Sequence, residues 1–189
     1  MGKLVLSENV TLDTVVQDPT GEEGFRYGGW FGQVSDRDRE AIGQVFLEEA
    51  RAAAALLMGR RSYEWFAGRW IERTGAWADR LVELPKYVVG GALAERGWGD
   101  TTVVGLDEVA KLKEQIDGEI VVYASRVLAQ TLLEQGLVDE VRLLIFPYAL
   151  GTGERLFGPE AGRNVLRLTG NRTVGDGIVL LTYRVGATG

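Results

Sequence analysis

The sequence predicts an α/β protein: a three-layer αβα sandwich with a mixed, mostly parallel sheet and a C-terminal antiparallel hairpin. Three observations predict it. Short, continuous apolar runs alternate with amphipathic stretches through the middle of the chain, as buried parallel strands covered by helices do. The C-terminal stretch instead alternates apolar and polar residues around Gly175-Asp176-Gly177, the mark of an antiparallel hairpin. No linker, repeat or low-complexity segment divides the chain, so the reading is one domain over residues 1–189.

The elements follow in order. Leu4-Val5-Leu6-Ser7 opens a strand that runs toward Val10-Thr11-Leu12-Asp13. Residues 17–33 read as a long loop, broken by five glycines and carrying Phe25, Tyr27, Trp30 and Phe31. Loops of that length are usually functional or mobile. For the aromatics, packing over the sheet is preferred to stacking on a ligand. Ser35 caps a helix whose acidic first turn suits the helix dipole, with Ile42, Val45, Phe46 and Glu49 on one face. Ala54 to Met58 is a buried strand, and Gly59-Arg60-Arg61-Ser62 turns it into a helix. A further helix covers about Trp77 to Leu84 and stops before Pro85. Lys86 to Val89 and Thr101 to Val104 are strands, and Asp107 to Gln115 is a helix. Glu119 to Ala124 is a strand feeding directly into the helix Ser125 to Gln135, which Gly136 ends. Glu140 to Pro147 is a strand, and Val165–Val174 pairs with Ile178–Tyr183 as the final hairpin.

Composition narrows the chemistry. The 189 residues contain no cysteine and no histidine. That excludes disulfides, thiolate nucleophiles, Cys/His zinc sites and every histidine-based triad. Carboxylates, hydroxyls, Lys/Arg, backbone groups or a cofactor must do any chemistry. No carboxylate cluster has convincing metal-ligand spacing, so no metal is expected. The net charge of −6 argues against nucleic acid as a partner. The N-terminal apolar run is too short for a signal segment, and no stretch reaches membrane-spanning length. A cytoplasmic protein acting on a small molecule is the expectation.

In a sheet of this kind, ligands bind at the carboxyl ends of the strands, where helix N-termini point N–H groups outward. Three junctions qualify: Gly59-Arg60-Arg61-Ser62, Gly90-Gly91, and Ala124-Ser125-Arg126-Val127. Two arginines at a helix start oppose the dipole unless an anion sits there. A solvated helix start with ordinary surface arginines is the other reading. Neither GxGxxG nor a P-loop is present, so a dinucleotide would have to bind by another arrangement.

Four blocks carry a resemblance. They are Lys3-Leu4-Val5-Leu6-Ser7-Glu8-Asn9-Val10-Thr11-Leu12-Asp13, Leu57-Met58-Gly59-Arg60-Arg61-Ser62-Tyr63-Glu64, Leu84-Pro85-Lys86-Tyr87-Val88-Val89, and Leu137 through Phe157 with its Asp139-Glu140, Pro147 and Gly151-Thr152-Gly153. In this order they resemble the dihydrofolate reductase superfamily, most closely the reductase domain of riboflavin biosynthesis (the RibD C-terminal type). The resemblance implies an NADPH-dependent reductase of a planar pterin-like or ribosylated pyrimidine-like substrate, working as a homodimer. It implies that Gly59, Arg60, Arg61 and Ser62 hold the 2′-phosphate and pyrophosphate. Gly90 and Gly91 would lie along the adenosine. Ala124, Ser125, Arg126 and Val127 would offer helix N–H groups to the pyrophosphate. Hydride transfer is cofactor chemistry and needs neither His nor Cys. A carboxylate with a raised pKa could supply a proton, and Asp13 is the first candidate, with a turn or cap role as the alternative.

Three positions depart from the family pattern. Thr14 stands where the family has the glycine of Asp-Gly. Ala124-Ser125 stands for Gly-Gly or Gly-Ser. Gly90-Gly91 replaces a turn that often carries serine. These departures raise a second expectation, a non-catalytic NADP(H)- or ligand-binding protein that keeps the reductase fold.

Overall fold

The computed structural model describes residues 2–91, 93, 97–158 and 162–186. Alternation along the first strand, β1 (Lys3–Thr11), sends Leu4, Leu6 and Val10 into one apolar cluster and Val5 into another. A strand buried on both faces needs helices on both, and the chain supplies them. It continues through α1 (Asp36–Ala52), β2 (Ala53–Gly59), α2 (Arg60–Trp70), α3 (Ala76–Glu83), β3 (Lys86–Val89), β4 (Thr101–Val104) and α4 (Val109–Gln115). It then forms β5 (Glu119–Tyr123), α5 (Arg126–Glu134), β6 (Glu140–Phe146), β7 (Leu166–Val174) and β8 (Ile178–Val185). The sheet order is β4-β3-β2-β5-β1-β6-β8-β7. The strands from β4 to β6 pair in parallel, and β8 and β7 pair antiparallel.

The expected sandwich is therefore present. Tyr63 of α2, Leu81 of α3 and Ala50 of α1 pack on one face. Val109 and Leu112 of α4, with Leu128, Ala129 and Leu132 of α5, pack on the other. Ser35 caps α1 by accepting from Asp38 N, as its sequence predicts. The hairpin turn comprises residues 175–177, between the paired Val174 and Ile178. Gly175 is needed there, because its φ is +63° and a Cβ would meet Asp38 Oδ1 at 2.1 Å.

The loop 17–33 is organised by one carboxylate. Buried Asp18 accepts from the N–H groups of Glu22 (2.7 Å), Glu23 (3.1 Å) and Phe25 (3.0 Å). Trp30 sinks into the core edge-on to Phe146 at 5.2 Å, within a short 3-10 turn. The packing expected of Trp30 and Phe31 is what they do, and Tyr27 stays exposed. The far side of the loop docks on α2: Glu22 meets Trp65 and Arg69, and Glu23 meets Arg61.

Two motif residues prove structural. Lys86 is buried and donates to the last carbonyls of α3, Val82 O (3.2 Å) and Leu84 O (2.8 Å). Its burial lowers its pKa to about 8. Asp139 binds Leu4 N–H (2.7 Å) and the Lys113 ammonium (2.6 Å), which fixes the start of β6 against β1.

Beneath α1 lies a charge network. Arg142 on β6 meets Glu49 (3.1 Å), Glu119 (2.7 Å) and Glu140 (2.7 Å), and Ser7 also donates to Glu49 (2.9 Å). Burial pushes the Glu49 pKa up, and Arg142 offsets part of that. Removing one partner of a buried ion pair strands the other charge. Arg142→Met should lower unfolding free energy by about 3–5 kcal/mol in urea titration. A loss below about 1 kcal/mol would mean that the network is solvated and weak.

Candidate active site

The site grows from the point where two central strands part. β1 and β5 pair from Lys3↔Glu119 to Ser7↔Tyr123 and no further. β1 continues to Thr11 beside β6, while β5 ends and turns into α5. The strand order reverses across this point, so the crossovers depart on opposite sides and leave a crevice.

Three junctions line this edge, and direct contacts join them. The Ser125 hydroxyl accepts from Gly59 N–H at 3.0 Å and donates to Tyr123 O at 3.2 Å. It therefore latches the start of α2 to the start of α5. Gly90 adjoins Arg60, since a Cβ built on it would lie 3.5 Å from Arg60 Cβ. Gly59 has an ordinary φ of −74°, and a Cβ there would sit 3.6 Å from Ser125 Oγ, on the floor between the two helices. Among the described residues nothing lies within 4 Å of a Cβ built on Gly91.

The two helices differ from α1 at their starts. α1 has a serine cap and two acidic residues in its first turn. Neither α2 nor α5 has a side-chain cap or an acidic residue there. Bare N–H groups and positive dipole ends therefore sit side by side, which is how helices bind anions.

The predicted cofactor residues divide into free and engaged groups. Among the described residues Arg60 has no ion-pair partner, and it is exposed. Arg61 reaches Glu23 of the loop at 3.5 Å. Ser62 lies in the first turn of α2. Arg126 is held by Glu154 at 2.7 Å and Gln130 at 3.4 Å, so its charge is largely engaged. Ser125 has its side chain occupied by the latch, leaving the α5 backbone as the anion-facing group. Val127 is exposed in the first turn of α5, and Leu12 is exposed just past β1. Both stand at the carboxyl-end edge of the sheet.

Asp13 has the contacts of the turn role that was the alternative for it. Its carboxylate accepts from Thr11 Oγ1 (2.7 Å), Gly151 N–H (2.8 Å) and Leu150 N–H (3.2 Å), with Arg155 at 3.7 Å. Partial burial acts to raise its pKa, but the hydrogen bonds outweigh it and hold the carboxyl below its usual value. Asp13 is thus an ionised anchor for the turn 148–155. The first and last family motifs interlock through it. Gly153 completes the joint, because a Cβ there would strike Val15 at 2.8 Å.

Like Glu49, Glu8 is a carboxyl raised by burial, and the sequence reading did not single it out. It is 6% exposed, and its Oε1 has no hydrogen-bond partner. Burial pushes its pKa up from 4.5 to about 8. The available signal was alternation: Leu4, Leu6, Glu8 and Val10 share one face, and three of the four are core.

Backbone strain marks the same edge. Thr14 (φ +65°), Ala124 (φ +49°) and Ser125 (φ +66°) are left-handed without being glycine. Thr14 and Ala124 stand where the resemblance expects glycine, so at both a side chain occupies a glycine conformation.

A mixed sheet with helices on both faces, a reversal of strand order and paired helix N-termini at that reversal defines a dihydrofolate reductase-like fold. The chain belongs to the RibD C-terminal domain family, whose model matches residues 2–180. It is 40% identical over 189 residues to the uncharacterized protein YyaP of Bacillus subtilis (strain 168), covering 96% of this chain and 94% of that protein. A candidate riboflavin biosynthesis protein from Shewanella sp. PV-4 superposes with a TM-score of 0.74 at 21% identity, over 98% of this chain and 99% of that one. Dihydrofolate reductase from Enterococcus faecalis, solved with NADP(H), superposes with a TM-score of 0.62 at 11% identity, over 98% and 97% of the two chains. These two likenesses establish the fold. No helix among the described residues is long and apolar enough to cross a membrane.

Two measurements check this site. Ala124→Gly should raise stability by about 0.5–1 kcal/mol, as relief of left-handed strain exceeds the added chain entropy; a loss of stability would contradict the strain. The Glu8 pKa has a worked sign. A carboxyl raised on folding binds more protons in the folded state, so its contribution to stability falls as pH rises from 4.5 to about 8. Melting curves should show the native protein losing stability relative to Glu8→Gln across that window. Parallel curves would mean that Glu8 is ionised throughout.

Proposed function

We propose that this protein is an NADPH-dependent reductase that delivers hydride to a C=N or C=O group of a small planar substrate, pterin-like or a ribosylated pyrimidine. The observation that carries the reading is the pair of uncapped, acid-free N-termini of α2 and α5, latched by Ser125 and Gly59 beside Arg60, which has no ion-pair partner among the described residues. A pyrophosphate fits two converging helix N-termini, and a 2′-phosphate fits a free guanidinium. Gly90 and Gly91 present no side chain along the adenosine side. Bound there, NADPH supplies the hydride.

The chain's own residues have distinct parts in this reading. Arg60 reads the 2′-phosphate. The backbone of α2 and α5 holds the diphosphate, and Arg61 assists once released from Glu23. Val127 and Leu12 shield the crevice mouth from water. The loop 17–33 docks on α2 through Glu22 and Glu23 and borders the same edge, so it governs substrate choice. Asp13 is a positioning residue that holds the 148–155 turn against the end of β1.

Family membership and the reductase fold support this reading, and so does a chain free of cysteine and histidine. Titration with NADPH and NADH tests it. Arg60→Ala should weaken NADPH about tenfold or more and change NADH by less than about twofold. Arg61→Ala should have the smaller effect, because Glu23 already neutralises it. Equal losses for both cofactors would remove the 2′-phosphate role, and no NADPH binding by the native protein would overturn the reading.

A further inference from the structure

Besides Arg60, the helix starts carry two arginines, and each already holds a carboxylate. Arg61, in the first turn of α2, meets Glu23 at 3.5 Å. Arg126, in the first turn of α5, meets Glu154 at 2.7 Å. Neither acid comes from the helix it serves, since the first turns of α2 and α5 contain none. One is supplied by the loop 17–33, which follows β1, and the other by the turn 148–155, which follows β6.

Neither carboxylate is needed to hold its own segment. Glu154 is fixed through its backbone: its N–H donates to Gln17 Oε1 (3.0 Å), and its carbonyl accepts from Val16 N–H (2.9 Å). Gln130 of α5 holds the next two residues by donating to Arg155 O (3.1 Å) and Leu156 O (3.0 Å). The loop 17–33 is closed by Asp18 and kept on α2 by Glu22, which accepts from Trp65 Nε1 at 2.9 Å. Both acids also stand in solvent, with the side chain of Glu23 57% exposed and that of Glu154 52% exposed. Exposed ion pairs add little to stability, and a carboxylate that leaves one for water strands no buried charge. What the two acids do change is the charge at the helix starts. They offset two of three arginines where bare N–H groups favour an anion.

We propose that Glu23 and Glu154 are internal stand-ins for ligand phosphate, which a phosphate-bearing ligand displaces to engage Arg61 and Arg126. No covalent bond changes; one ion pair is exchanged for another. With the site empty, the acids balance the charge of the helix starts. With ligand bound, they turn to water. They therefore lower the affinity for phosphate groups and leave any neutral part of the ligand unaffected. The proposal rests on the anion site of the function proposed above and not on hydride transfer.

Glu154→Gln and Glu23→Gln remove each charge and keep the shape. Calorimetric titration with NADPH and with 2′-phospho-ADP-ribose, the same anionic part without the nicotinamide, reads the effect. At low salt Glu154→Gln should bind both ligands about threefold to fivefold tighter than the native protein. Glu23→Gln should gain about twofold, because its ion pair is longer and more exposed. Both gains should shrink at about 0.5 M salt, where charges are screened. Without ligand, each variant should melt within about 2 °C of the native protein, since the backbone contacts remain.

Weaker or unchanged binding by Glu154→Gln would make Glu154 a residue that holds Arg126 in place for the phosphate, and the proposal falls. A gain that survives high salt overturns it too, because its origin would be a change of shape. So does a melting point lowered by more than about 5 °C in both variants, which would mean that the carboxylates hold their segments. If the native protein and both variants bind neither ligand, the anion site itself fails and takes the proposal with it. Binding by the native protein with no gain in the variants sinks the proposal alone.

Discussion

β1 and β5 stay paired for five residues and then separate, and most of the candidate site follows from that separation. Up to Ser7 and Tyr123 the strands share a parallel ladder. Past it, β1 remains bonded to β6 while β5 turns into α5. The gap this opens must satisfy polar backbone that no strand reaches. The chain answers with the Ser125 hydroxyl, which ties Gly59 N–H to the end of β5, and with Asp13, which ties the 148–155 turn to the end of β1. Both sides of the crevice are thereby fixed before any ligand arrives, which is the preorganisation that binding needs.

Strain and incomplete satisfaction concentrate around that gap. Thr14, Ala124 and Ser125 take left-handed backbone that glycine would take freely. Glu8 is buried with its Oε1 unpartnered among the described residues, and α2 and α5 begin without side-chain caps. Away from the edge α1 is capped, Lys86 closes α3 and Arg142 collects three carboxylates, while Asp18 is also left-handed and the indole Nε1 atoms of Trp70, Trp77 and Trp98 are also buried without a partner among the described residues. Left-handed non-glycine residues, uncapped helix starts and a buried unpartnered carboxyl oxygen occur together at this edge, which is why it is the candidate site.

Much of this was legible in the sequence. Period and punctuation located the strands and helices, because a continuous apolar run such as Ile120-Val121-Val122 and a stop such as Gly136 are local signals. The junctions Gly59-Arg60-Arg61-Ser62 and Ala124-Ser125 were legible for the same reason. What was hidden depends on contacts across the chain. Ser125 meets Gly59 across 66 positions of sequence, and Asp13 meets Gly151 across 138. No window contains both partners, so the sequence left Asp13 open between a proton donor and a turn residue, and only its contacts favour the turn. Glu8 was legible in principle, as a charged residue at an inward position of an alternating strand, but its facing needed the sheet.

The claim at the centre of this account is that the paired N-termini of α2 and α5 form the anion site of a dinucleotide. A crystal structure of the protein soaked with NADPH tests it most directly. The account predicts the pyrophosphate between Gly59-Arg60 and Ser125-Arg126, the 2′-phosphate on Arg60, and the nicotinamide directed into the parting of β1 and β5. NADPH bound away from these two helix starts would contradict it.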